Sequence, residues 1–524
     1  MNASTRSYGR RLSVTAGIVT LGLLGLVGGA TVANADDEPP YGNIDQQAKG
    51  SIIVHKHLNG DGTNGKPDGS GNEGAQTVDG VTFAAYPITS LDLAKPADWE
   101  TLSRLSVPDD ACADPANPTL TGQTLGGSAG EATTAGGGIA TIANLPVKAY
   151  LVCETAAPAN IVQKAKPFVV TIPYPNTAPG EAGNWLYAVN VYPKNEEVSI
   201  DKSIDPQAQH GYGLGSVVTF PVTTTVPTLD ATSYFKYYQI KDVMDARFTN
   251  VGVTEVTLGG NQLTSGVEYN VNVTGNTVAV NFTRAGLTAL KNAPGSVVKV
   301  TFQGTVSAIG DGNIRNKAQL ITDTEYAVTP PPDEPETPPV PPNPPETPEV
   351  VTHWGDVKVL KVDANKTDKG LQGATFEVYE AQDPYAADCS SAQRTGAAIQ
   401  VGGQTTFTSD SNGVVSIAGL FVSDSKNAPI DATQRCYVLV ETGAPAGFVL
   451  PANVETPLTV KTGTTDISVA YDARITNSKQ RVPGLPLTGA AGQVLMVVCG
   501  SALLLIAGGT ALAARSRRRS VAVQ

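Results

Sequence analysis

The sequence is poor in the residues on which metal and acid–base chemistry draw. Among 524 residues there are four histidines, His55, His57, His210 and His353. Their spacing matches no metal-ligand motif, and no Ser-His-Asp set suggests itself, so an enzyme with a turnover site is the weakest reading and neither metal nor cofactor is expected. Positive charge is scarce too. Lys and Arg number 36 against 48 Asp and Glu, for a net charge of −12 and a pI of about 4.9. With no basic patch outside the two chain ends, nucleic-acid binding is excluded. Long amphipathic helices are missing as well. The acidic, glycine-rich stretch "NGDGTNGKPDGSGNEG" from Asn59 to Gly74 lacks the glycine an EF-hand loop needs at its sixth position; it reads as a turn region.

What is present begins at the ends. Arg6, Arg10 and Arg11 precede an apolar run from Val14 to Val32 and the small residues "ANA", the pattern of a cleaved secretory signal over residues 1–35. At the other end "LPLTG", Leu485, Pro486, Leu487, Thr488 and Gly489, precedes an uncharged apolar stretch at 490–514, long enough to span a bilayer, and a basic tail at 515–524. Cysteine is sparse, five in all. Cys499 lies in the apolar stretch, leaving Cys112, Cys153, Cys389 and Cys436, an even set in an exported chain and so two expected disulfides. We pair them locally, Cys112 with Cys153 and Cys389 with Cys436.

About 450 residues remain after processing, enough for about three domains. They are rich in Thr, Val, Gly and Pro with recurrent alternating strands, which predicts an all-β chain of tandem sandwiches. The expected domains are 41–195, 196–328 and 351–480. A proline-dense linker at 329–350 between the last two is expected to be an extended, semi-rigid spacer rather than a packed element. The first and last domains are duplicates: "YLVCETAAPANI" (Tyr150 to Ile161) answers "YVLVETGAPAGF" (Tyr437 to Phe448), and "GVTFAAYP" (Gly80 to Pro87) answers "GATFEVYE" (Gly373 to Glu380). The middle domain lacks these boxes and is a different sandwich type.

Each domain opens with a strand that carries a lysine on its apolar register: Lys56 with Ile52, Val54 and Leu58; Lys202 with Val198, Ile200 and Ile204; Lys361 with Val357 and Val359. Closing strands do the same with asparagine. Asn316 shares a register with Ile314, Ala318 and Leu320, and Asn477 with Ile467, Val469, Tyr471, Ala473 and Ile475. A buried amine and a buried carboxamide are costly unless paired. A carboxyl group beside them permits more: desolvation favours neutral amine and neutral acid, and a neutral lysine held against the Asn carbonyl can expel ammonia and form an amide. Glu441 suits Lys361 and Asn477, while Asp242, in register with Tyr238 and Ile240, suits Lys202 and Asn316. The alternative is a buried ion pair with a hydrogen-bonded Asn, a weak stabiliser by itself. A third set is Lys56, Asn195 and Glu154. Glu154 holds the same place in its box as Glu441, and Asn195 is in register with Trp185, Tyr187, Val189 and Val191. Pro193 interrupts the alternation just before Asn195, however, so Asn195 as a cap at the domain exit stays open.

The stretch "WLYAVNVYPKN" from Trp185 to Asn195 resembles the pilin motif of sortase-assembled Gram-positive pili, "YVLVETGAPAGF" their E-box, and "LPLTG" their sorting signal. The chain as a whole resembles their major, or shaft, pilins, in particular the fimbrial shaft subunits of Actinomyces, with Asn190 where the motif often has histidine. The resemblance implies immunoglobulin-like domains of the collagen-adhesin B, A and B types and isopeptide bonds Lys202–Asn316 and Lys361–Asn477. It also implies cleavage between Thr488 and Gly489 and attack by Lys194 of one subunit on the acyl group of Thr488 of another. Pro193 would keep Lys194 at an unpaired, outward edge. The implied partners are class C and housekeeping sortases, further copies of the chain, a minor tip pilin and peptidoglycan, with a host or bacterial surface receptor left open. The implied location is a fimbrium anchored to the cell wall. A singly displayed wall-anchored adhesin is the alternative; it needs the sorting signal but not "YPKN".

Overall fold

In the computed structural model, which describes residues 43–59, 63–71, 74–176, 183–326, 333–339, 343–481 and 490–520, the alternating segments form β-sandwiches almost throughout. The signal segment and Leu485 to Gly489 lie outside the described residues. The chain divides into two compact units, one containing the described residues to 354 together with 421–432, the other the remainder.

Two sandwiches make up the first unit. In the earlier one, Lys49–His55 lies between Ala188–Val191, parallel to it, and Ile139–Pro146, antiparallel. The facing sheet runs Gly130–Thr133, Thr82–Pro87, Lys148–Ala156, Phe168–Ile172. Ile52, Val54, Phe83, Tyr150, Val152 and Val189 fill the space between, as the period-2 pattern demands. The later sandwich sets the sheet Ile200–Lys202, Val217–Thr225, Val297–Val306, Phe248–Leu258, Asn261–Gln262 against Tyr269–Thr274, Thr277–Phe282, Ser233–Val243, Ala318–Tyr326. A short helix, Arg284–Lys291, is capped by Thr283, whose hydroxyl accepts from Gly286 N.

In the second unit Val359 to Asp363, the end of the strand Val350–Asp363, pair with Ala473 to Asn477, again parallel. The other sheet runs Arg394–Thr395, Thr375–Ala381, Gln434–Gly443, Glu455–Lys461. Among the described residues one helix, Ala490–Ser520, is long and apolar enough to cross a membrane, over Met496–Arg515. Disulfides join Cys112 to Cys153 and Cys389 to Cys436, the expected local pairs.

Three expectations change. "WLYAVNVYPKN" is not one strand but three: Trp185–Leu186, Ala188–Val191 and Lys194–Glu197. The breaks fall at Tyr187 and at Tyr192 and Pro193, where proline cannot donate to a ladder. Residues 467–471 do not continue the register of Asn477. The Asp466 carboxylate accepts from Ser468 N and its carbonyl from Val469 N, closing a turn that leaves Ile467 and Val469 exposed. The strand proper is Ala473–Lys479. Nor is the proline-rich segment wholly a free spacer. Leu320 N donates to Pro345 O and Thr347 N to Ala318 O, with Thr347 buried, so these residues satisfy the edge of the strand Ala318–Tyr326.

Candidate crosslinking sites

Because side chains alternate across a strand, the lysines on the apolar registers point into the sandwiches, and Lys56, Lys202 and Lys361 are each 0% exposed. All three sit against buried carboxyl and carboxamide groups. In the first cluster Lys56 Nζ donates to Asn195 Oδ1 at 2.5 Å and lies 3.3 Å from Glu154 Oε2. Asn195 Nδ2 donates to Glu154 Oε1 at 2.9 Å, and Ala165 N donates to Oε2 at 3.0 Å. The chain reaches this geometry despite Pro193: Lys194 and Asn195 resume pairing, in parallel, with His57 and Leu58, which turns Asn195 inward to 1% exposure.

The cluster of the second unit repeats the arrangement. Lys361 Nζ donates to Asn477 Oδ1 and, at 2.7 Å, to Glu441 Oε2, while Asn477 Nδ2 donates to Glu441 Oε1 at 2.7 Å. The middle cluster differs. Lys202 Nζ donates to Asp242 Oδ2, and Asn316 Nδ2 reaches that same oxygen at 3.4 Å. Asp242 Oδ1 and Asn316 Oδ1 are buried with no hydrogen-bond partner among the described residues.

Desolvation sets the proton affinities. It pushes the Lys56 amine down to about 8, against the opposing pull of Glu154, and it lowers Lys202 and Lys361 as well. Burial likewise raises Asp242, opposed by Lys202. In the middle cluster amine and acid thus shift toward one another, the direction that favours a neutral pair.

Aromatic rings complete each site and escaped the sequence reading. Lys56 Nζ lies 5.7 Å from the ring centroid of Phe83 and Lys361 Nζ 5.8 Å from that of Phe376. Phe83 and Phe376 are cross-strand partners of Glu154 and Glu441. Both stand after Thr in the duplicated "GVTF" and "GATF", so the duplication itself carried the signal. In the middle cluster Phe220 and Phe302 flank Lys202 Nζ at 5.1 and 5.9 Å.

Lys194 pairs, in parallel, with His57 on one side, while Ile161–Gln163 meets the same strand only further on, at Glu196 and Glu197. The side chain is half-buried, with Nζ donating to Thr63 O at 3.2 Å. Thr488 lies outside the described residues.

Tandem sandwiches with buried lysine–carboxyl–asparagine clusters, followed by an apolar helix, define a modular all-β protein. Comparison with known proteins gives the family. Residues 47–196 match the Gram-positive pilin subunit D1, N-terminal domain, and residues 355–473 the SpaA prealbumin-like fold domain. Over 99% of its length the chain is 48% identical to fimbrial subunit type 2 of Actinomyces naeslundii, covering 98% of that protein. It is 31% identical to fimbrial subunit type 1 of Actinomyces viscosus over 94% of this chain and 95% of that one. The full-length major pilin SpaD of Corynebacterium diphtheriae superposes with a TM-score of 0.60 at 28% identity, over 84% of this chain and 99% of that one. The chain belongs to the Gram-positive fimbrial subunits: it is a structural pilin of a cell-surface pilus rather than an enzyme.

Proposed function

We propose that this chain is the major subunit of a covalent pilus, with Lys194 as acceptor and Thr488 as acyl donor, and that each of its three sandwiches is closed by an internal isopeptide bond. The domain limits 41–195, 196–328 and 351–480, the linker at 329–350 and attachment of the last subunit to peptidoglycan belong to the same reading. The observation that carries it is the threefold recurrence of one buried group: an amine made less basic by burial, beside an asparagine carboxamide and a carboxyl.

The internal step balances without outside reagents. Proton transfer from ammonium to carboxylate leaves a neutral amine and a neutral acid. The amine nitrogen bonds to the Asn Cγ as the acid polarises the carboxamide, the Cγ–Nδ2 bond breaks, and the lost proton leaves with nitrogen as ammonia, restoring the carboxyl group. Between subunits, the Lys194 amine displaces a transpeptidase thiol from the Thr488 carbonyl, forming C–N and breaking C–S.

Two measurements test this. Intact mass of recombinant, reduced protein is expected to show one ammonia lost per sandwich, and the full unmodified mass refutes the internal bonds. Lys194→Ala and Lys194→Arg are both expected to abolish the high-mass ladder of wall extracts while leaving a wall-attached monomer, since a guanidinium stays protonated. A normal ladder from either variant moves the acceptor to another lysine. A single band from the parent chain instead favours the solitary adhesin.

A further inference from the structure

The glycine-rich stretch after Asn59 has no part in the reading above, yet its described residues lie on the outward side of "NVYPK". Thr63 O accepts from Lys194 Nζ at 3.2 Å, and Thr63 Oγ1 accepts from Gly74 N at 3.0 Å. Gly65 is pressed against the Tyr192 ring so closely that a Cβ there would stand 2.1 Å from Cζ. Pro67 O accepts from Asn190 N at 3.0 Å and from Asn190 Nδ2 at 3.2 Å. A turn closes the tip: Gly69 N donates to Lys66 O, Lys66 N to Ser70 O, and Asp68 accepts from both Ser70 N and its hydroxyl. Beneath, Tyr192 stacks on His55 with centroids 4.7 Å apart.

Two features of this layer matter together. It contacts alternate residues 190, 192 and 194, the face of the motif opposite Asn195 and the core. And it is cheap to remove, because none of residues 63–71 is buried and a segment with few apolar contacts opens at low free energy. While Nζ is held at Thr63 O, the loop rather than an incoming acyl group sets the position of the amine.

We infer that residues 63–71 form an autoinhibitory cover on Lys194, holding the acceptor amine until the loop lifts to admit the acyl-loaded transpeptidase. The inference rests on Lys194 as acceptor. Lifting frees Nζ from Thr63 O; the amine then takes the acyl group, its proton passing to the released thiolate. The cover would keep free subunits from accepting indiscriminately, and it gives the glycines a purpose, since a side chain at Gly65 meets the Tyr192 ring.

The test uses the full mature chain. Trace acetylation with an amine-reactive ester, read residue by residue by mass spectrometry, compares Lys194 with the exposed Lys49. In the parent chain Lys194 is expected to label more slowly than Lys49. Gly65→Val, which pushes the loop off Tyr192, and Asn190→Ala, which removes a contact to Pro67, are each expected to speed Lys194 labelling about fivefold or more, the scale of losing one or two net hydrogen bonds. The same variants are expected to form dimers faster with purified sortase. Equal labelling of Lys194 and Lys49 in the parent, or no acceleration in either variant, overturns the cover. So does faster labelling without faster dimer formation, because the loop is then not inhibitory. Lys194→Ala is run alongside: if it still forms dimers, the acceptor assignment fails, an outcome distinct from the labelling result.

Discussion

The first and middle sandwiches bury the same three functional groups with acids of different length. Glu154 spreads its two oxygens, one to the Asn195 carboxamide and the other to Lys56 and Ala165 N. Asp242, one methylene shorter, offers a single oxygen to both Lys202 and Asn316, and leaves its own Oδ1 and the Asn316 carbonyl oxygen without partners among the described residues. An unsatisfied buried polar atom costs about 1–3 kcal/mol, so the middle cluster is the less satisfied before bridging. The comparison teaches that the proposed chemistry would have to tolerate more than one hydrogen-bond pattern, asking only that a buried amine and carboxyl meet a carboxamide.

Removing the acids breaks the comparison most severely. Glu154→Ala, Asp242→Ala and Glu441→Ala are each expected to retain one more ammonia by intact mass. Each is expected to lose about 4–5 kcal/mol of stability in denaturant titrations, by analogy with a disulfide closing a loop of this size; the Lys56–Asn195 and Lys361–Asn477 pairs span 139 and 116 positions. A bond that survives its Ala variant removes that acid from the mechanism.

Acidity sharpens the comparison at smaller scale. In Asn195→Ala, which cannot bridge, burial is expected to hold the Lys56 amine near the value of about 8 of the parent fold, against 10.5 in its ordinary state. Between those values the unfolded chain holds more protons, so stability of this sandwich is expected to rise with pH from about 8 to 10.5, by up to about 3 kcal/mol, and to be flat below. Calorimetry across that range decides, and a fall in stability contradicts the lowered amine. The smallest effect is expected of Phe83→Leu, which keeps an apolar neighbour but removes the ring: the bond still forms, and stability drops by about 1–2 kcal/mol, read by thermal melting. Full loss of the bond would make the ring part of the chemistry.

Much of this was legible because period-2 registers are local. Lys202 among Val198, Ile200 and Ile204, or Asn316 among Ile314, Ala318 and Leu320, needs no knowledge of the partner strand, and the burial follows. Duplication exposed Glu154 beside Glu441. What stayed hidden depended on contacts between distant segments: the parallel pairing that turns Asn195 inward after Pro193, the layer over Lys194, and the docking of Pro345 and Thr347 on an edge strand. Local turn chemistry was also underweighted. The Asp466 turn overrode an apolar alternation that looked continuous from Ile467 onward.

The position of Lys194 also sorts the sandwiches mechanically. In a fibre joined through Lys194 and Thr488, tension enters each subunit at Lys194 and passes at once to Asn195 and the residues that follow. Everything before residue 194 hangs beside the line of pull. In the middle and last sandwiches the chain enters near the lysine strand and leaves near the asparagine strand, so a bond from Lys202 to Asn316 or from Lys361 to Asn477 carries the load directly and shields the sheets from being drawn apart. A bond at Lys56 would bear no such load: it would act as a bracket on the coupling point, fixing the residue next to Lys194 to a strand outside the line of pull.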